Sequence, residues 1–205
     1  MFTRATSIIA PLAAVLMFSA DVARSDSAAD LEPYAAKARA AVKAMGGALQ
    51  VKLKEALAAD GPVAAVQVCK TIAPEIAKEQ SKAAGMTIRR TALRVRNPDN
   101  APDALERKVL EDFTAQLAAG ADAGKLEHVE EVTTDGKTLV RYFKAIPTAA
   151  TPCLVCHGSN VTGELKETID KLYPNDQATG FKEGDLRGAF ARRRPVRPLA
   201  GRPHA

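Results

Sequence analysis

Tryptophan is absent from this chain of 205 residues, and aromatic residues are limited to three tyrosines and six phenylalanines. Alanine, valine and leucine must therefore fill the core, and a bound flat apolar group would supply surface that aromatic side chains usually provide. Beyond residue 20 no run is apolar enough for a membrane helix, which needs about 20 such residues. No internal repeat is evident. Basic residues interleaved with aromatics are missing, as is any nucleic-acid module, so that ligand class is not expected. Acid is missing locally: residues 187–205 hold Arg187, Arg192, Arg193, Arg194, Arg197 and Arg202 and not one Asp or Glu. The formal charge of +5 thus belongs to the end of the chain, and the remainder is nearly neutral. With Pro195, Pro198, Gly201 and Pro203, residues 191–205 read as a basic disordered tail, either solvated or touching an acidic partner or anionic surface.

The opposite end reads as an export signal over residues 1–25. Arg4 supplies the positive start, Ile8 to Ala20 is largely apolar, and Ala23-Arg24-Ser25 or Ser27-Ala28-Ala29 offers a cleavage context. The apolar stretch is short for a membrane span, so the mature chain is expected in the periplasm without a transmembrane segment. What is left suits one domain, over residues 30–190.

Within it, Leu31, Tyr34, Ala38, Val42, Met45, Leu49, Leu53 and Leu57 form a helical stripe, with Gly46-Gly47 as a bend or a close backbone approach. Asp60-Gly61-Pro62 restarts a helix that runs to Ala84, stops at Gly85, and is kinked or split by Pro74. Met86 to Arg96 alternates like a strand. Pro102 opens a helix to Ala119. Two strand runs, 126–133 and 138–146, flank an Asp-Gly hairpin turn. A short helix follows at 164–172, and an extended piece near 181–190 would complete the sheet. The expected class is α+β.

Cys153-Leu154-Val155-Cys156-His157-Gly158 carries the chemistry. Cysteines three apart project from one face of a helical turn, so both thiols can add to the vinyl groups of one porphyrin, with His157 beneath the iron. Two other readings of these cysteines exist. One is a thioredoxin-like redox pair, which belongs in a βαβ unit. The other is tetrahedral zinc held by Cys69, Cys153, Cys156 and a histidine. If two thiols are spent on thioethers, Cys69 has no intramolecular partner. It falls on the inward face set by Val63, Val66, Ile72 and Ile76. There it is a small buried hydrophobe or the second axial ligand. His128, Met45, Met86 and His204 are the other candidates for that position.

Three segments in this order resemble a family of exported single-haem c-type domains of PAS-like fold, known from cyanobacteria and widespread in bacteria. They are Val68-Cys69-Lys70-Thr71-Ile72-Ala73-Pro74-Glu75-Ile76-Ala77, then Arg89 through Pro102, then Cys153 through Gly158. The stretch from Tyr173 to Ala189 is similar to the family's closing region, so the resemblance covers about residues 45–190. It implies one covalent haem c on Cys153 and Cys156, with His157 as proximal and Cys69 as distal iron ligand. It also implies a PAS-like antiparallel sheet with N-terminal and flanking helices. The chain departs from the family at Ala92, where a serine is expected. It departs again at its end, where the Arg/Pro arm replaces the usual closing strand.

A thiolate ligand stabilises ferric iron and lowers the potential. The expected role is a low-potential electron carrier with an unidentified redox partner. A redox or gas sensor acting through a partner comes second. A small oxidoreductase of sulfur compounds comes last, because no acid/base constellation accompanies the single haem motif. Alternation would put Arg90, Arg94 and Arg96 on one strand face, facing either solvent or haem propionates. Protein from a host with cytochrome-maturation machinery is expected to give a two-thioether pyridine haemochrome. A colourless product holding stoichiometric zinc would overturn that expectation.

Overall fold

The first helix is built on small side chains. In the computed structural model, which describes residues 22–134 and 136–195, α1 spans Val22–Gln67. The chain divides into two units at Asp30/Leu31, the second of which holds the sheet and the cysteine motif. The export signal falls almost wholly outside the described residues, as do residues 196–205 and His204. Ala38, Val42 and Met45 of the stripe are buried on α1, and Ala35 and Ala41 beside them are buried too. Gly46 does not bend the helix: a Cβ there would lie 3.3 Å from the ring of Phe190, so the glycine admits that ring. At Gly61 (φ 77°, ψ −168°) the helical run breaks, then resumes at Pro62.

Pro74 splits the continuation, as its position requires. Lacking an N–H and crowding the carbonyl one turn back, it leaves the preceding turn no regular α-ladder to close. The chain opens into a π-turn at Val68–Ile72, with the Ala73 N–H reaching back to Val68. Helix α2 (Ala73–Ala84) then ends at Gly85.

The sheet has four antiparallel strands in the order β1-β4-β3-β2: β1 Thr87–Thr91, β2 Glu127–Thr134, β3 Lys137–Pro147 and β4 Leu186–Pro195. The Asp-Gly hairpin forms in the expected register, with Thr134 opposite Lys137. Helix α3 (Ala104–Ala118) starts on a reciprocal capping box between Asp103 and Glu106. Alternation along β3 divides the core. Tyr142 packs with Ile88 against α1 and α2 on one face. Phe143 and Ala145 pack with Val109, Leu110 and Phe113 of α3 on the other. Full burial of Leu110, Phe113 and Phe143 contributes roughly 1.5–3 kcal/mol each. The result is an α+β domain. Among the described residues no helix is long and apolar enough to cross a membrane.

Two expectations about extent are corrected. The strand expected over Met86–Arg96 stops at Thr91. There the Ala92 N–H turns to the carbonyl of Asn100, and Arg94 and Arg96 reach away to residues 176–179. The basic tail, expected from residue 191, does not begin there. Ala191–Pro195 belong to β4, which is hydrogen-bonded on both sides. Arg192, taken for a solvated charge, is 1% exposed and lies over the Tyr34 ring at 5.5 Å. Composition suggested disorder, but this segment has backbone partners on both edges, and strand alternation puts Phe190 and Arg192 on one face and Ala189 and Ala191 on the other.

Gly188 is where β4 meets β1 most closely: a Cβ there would stand 2.4 Å from the Thr91 carbonyl oxygen. Backbone cannot yield as a flexible side chain does. Gly188→Ala is expected to destabilise by about 1–3 kcal/mol, read as a lower urea midpoint at unchanged slope. An unchanged midpoint would show that the strands can part without cost.

Candidate haem site

The motif cysteines lie on a single helical turn, α4 (Cys153–His157), that follows β3. Cys153, Cys156 and His157 line one cleft together with Cys69, which sits on the π-turn after α1. The four residues singled out from sequence are therefore gathered into one place. Leu53, Leu57 and Val66 give the cleft an apolar wall; Arg90, Arg96 and Arg187 give it a cationic one. Its enclosed space is about 70 Å³, far below the ~300–1,000 Å³ of a typical cofactor pocket. A macrocycle held here keeps an edge in solvent or displaces a wall.

The histidine is oriented by the loop that follows α5 (Gly163–Leu172). His157 Nδ1–H donates to the Ala178 carbonyl at 2.6 Å, which leaves Nε2 with its lone pair available, met only by the Arg187 Nε–H at 3.4 Å. Burial, with Arg187 and Arg96 nearby, holds the imidazole well below its ordinary pKa and therefore neutral. A ring that donates one N–H to a carbonyl and keeps the other nitrogen as an acceptor has the usual disposition of a metal-ligating histidine. The Phe181 ring stands edge-on to it at 6.2 Å.

The loop is bolted down by contacts that the sequence did not show. Asp176 accepts the Ala178 N–H at 2.9 Å and both arms of the Arg96 fork at 3.1 and 3.0 Å. Gln177 N–H donates to Val95, Gly180 N–H to Gly158 and Phe181 N–H to His157, each at 2.9 Å. Within the stretch similar to the family's closing region, Asp176 stands two residues before Ala178, a spacing that allows an aspartate to bond the backbone ahead of it.

The arginines behave differently from one another. Arg96 is buried and committed to protein oxygens; Arg94 donates to the Gln177 and Thr179 carbonyls. Neither shares a strand face with Arg90, contrary to expectation, because β1 ends before them. Burial and the neighbouring guanidiniums of Arg96 and Arg90 pull Arg187 down to about 10. Among the described residues that line the cleft there are three arginines and no carboxylate, and the nearby Asp176 is taken by Arg96, so the cleft gains from an added anionic group. Burial also pushes the Cys156 thiol up, an effect that Arg96 tempers.

The remaining ligand candidates lie elsewhere. Met45 is in the core under the sheet, Met86 is buried at the start of β1, and His128 on β2 bonds Glu130 at 3.0 Å. Among the described residues no three Cys, His, Asp or Glu side chains form a metal-holding group, which counts against tetrahedral zinc. The sheet has no parallel pair, so the βαβ setting of a thioredoxin-like pair is missing.

A family model, Tll0287-like, matches residues 5–195. The chain belongs to the Tll0287-like family. A solved structure described as the cyanobacterial heme-protein Tll0287 is similar to it, with 25% identity and a TM-score of 0.55, over 84% of this chain and 98% of that one. Among curated proteins none matches significantly. The residues present are of the kind that would suit the cofactor named for that relative: two thiols on one turn, an imidazole and a third thiol on the same cleft, and guanidiniums beside them. Arg90 lines the cleft and makes none of the fork contacts that occupy Arg96. Arg90→Ala is expected to lower both the yield of haem-loaded protein and its midpoint potential, since a cation near the metal disfavours the oxidised state. Equal yield and potential in the variant would remove Arg90 from the cofactor.

Proposed function

We propose that this chain is a periplasmic c-type haem protein of PAS-like fold that carries electrons at low potential. Cys153 and Cys156 hold one haem covalently, His157 is the proximal iron ligand and Cys69 the distal one. The observation that carries the reading is the anchored imidazole. Nδ1 is tied to Ala178 while Nε2, both motif thiols and Cys69 share one cleft. The likeness to a heme-protein over nearly its whole length supports it.

When bound, the haem supplies a one-electron iron couple. The rest is done by the chain. His157 is held neutral and in one tautomer, so it donates from Nε2 without first losing a proton. Cys69 would bind as thiolate, the form stabilised by a metal cation, and its negative charge favours the oxidised state. With both donors in place no position is left open for a substrate, which argues for a carrier over a catalyst. Arg90 and Arg187 would meet the acidic groups at the rim through charge-assisted hydrogen bonds. After export into an oxidising compartment, the two motif thiols would have to be kept reduced until the cofactor arrives.

The π-turn favours a second reading, a redox or gas sensor acting through a partner. Cys69 rides on a turn that carries one residue more than an α-turn, a type of bulge frequent at functional sites. Its reversion would carry the thiol away from the iron and open a coordination position.

Cys69→Ala decides the ligand set. The ferric wild type is expected to show a thiolate-type low-spin signal, and the variant to lose it and rise in midpoint potential. A thiolate signal that survives the substitution overturns the assignment of Cys69. Carbon monoxide binding to the reduced wild type, coupled to altered partner binding, would favour the sensor.

A further inference from the structure

Arg96 is nine-tenths buried, and its Nη2 nitrogen has more acceptors than hydrogens. It lies 3.0 Å from Asp176 Oδ2, 2.8 Å from the Cys156 carbonyl and 3.2 Å from the Ala178 carbonyl. The last of these oxygens is the one that receives His157 Nδ1–H at 2.6 Å. One carbonyl therefore serves a guanidinium and an imidazole at once. A carbonyl already polarised by a charged donor is a weaker acceptor for its second partner. How strongly Nδ1–H is held sets how basic the opposite nitrogen becomes.

We propose that Arg96 is a positioning residue that tunes His157 as a metal ligand, by competing for the Ala178 carbonyl. Its arm to Cys156 and its fork on Asp176 bind the motif turn to the loop; its third contact limits the electron donation that the loop lends the imidazole. The inference rests on the reading of His157 as an axial ligand. It goes beyond that reading by assigning the strength of the ligand to a residue that touches neither iron nor porphyrin.

The sign follows from the geometry. Arg96→Lys keeps the charge, but three N–H bonds on a shorter side chain replace a fork that meets four oxygens; drawn to the Asp176 carboxylate, the ammonium releases the Ala178 carbonyl to His157. Asp176→Asn removes the competing carboxylate oxygen and places an N–H₂ there, driving Nη2 onto the Ala178 and Cys156 carbonyls. In ¹⁵N-histidine-labelled, reduced protein, the His157 Nδ1–H resonance is expected to move downfield in Arg96→Lys and upfield in Asp176→Asn. The midpoint potential is expected to fall in the first and rise in the second. A role confined to stability would lower the unfolding midpoint of both and leave the resonance where it is.

An Nδ1–H resonance unmoved in either folded variant overturns the proposal. Should both variants fail to fold, the wild type decides. A scalar coupling across the hydrogen bond between Arg96 Nη2 and the Ala178 carbonyl carbon supports it, and the absence of that coupling overturns it. A wild type isolated without haem would overturn the haem reading. The Nδ1–H resonance would still show whether Arg96 weakens the bond, so the two failures are distinguishable.

Discussion

The buried pair of Arg96 and Asp176 is the constraint on which the site depends. Residues 173–181 form no helix or strand, and a loop of that kind keeps one conformation only if something fixes its backbone. Here a carboxylate accepts from the loop's own N–H and from a two-armed guanidinium, and the guanidinium grips the carbonyl that ends the cysteine pair. Burying two charges is costly, and removing one partner of such a pair typically costs about 3–5 kcal/mol because the other is left uncompensated. The arrangement is therefore cooperative: imidazole orientation, loop shape and motif turn stand together.

The sheet serves this site indirectly. Its two faces are covered by α1 with α2 and by α3, so its strands act as a rigid mount from whose ends the functional segments emerge. Arg89, next to the cleft-lining Arg90 on β1, turns to the opposite face and binds the buried Glu106 at 2.9 Å. That carboxylate also receives Arg141 from β3. Alternate arginines of one strand thus do separate jobs, one joining sheet to helix and the other facing the cofactor cleft.

Much of this was legible in the sequence, and the failures share a cause. The α1 stripe, the Asp-Gly hairpin, the capped α3 and the split at Pro74 are local signals, set by period, turn chemistry or a missing N–H. The three motif residues could be named because the Cys-x-x-Cys-His spacing is itself chemical, whereas Cys69 stood out as the cysteine left over and through the resemblance. What could not be read were contacts made at long range. Asp176 and Arg187 look like ordinary surface charges until residues some 80 to 90 positions earlier come to meet them. Arg192 looked like part of a tail because composition cannot show that β1 and β3 close on either side of it. The end of β1 at Thr91 was hidden for the same reason, since the arginines beyond it continue the alternation but bond elsewhere.

The strand order carries a consequence for how the molecule comes into being. Among the described residues β4 is the last element, yet it occupies the interior of the sheet, and β1 pairs with it alone. While the chain emerges, the first strand waits roughly a hundred residues for a mate, and the segment that will seal the cysteine turn into its loop waits with it. Closure of so many distant pairings at the very end makes for slow folding. It also leaves a span of time in which the motif thiols stand open to whatever machinery must reach them.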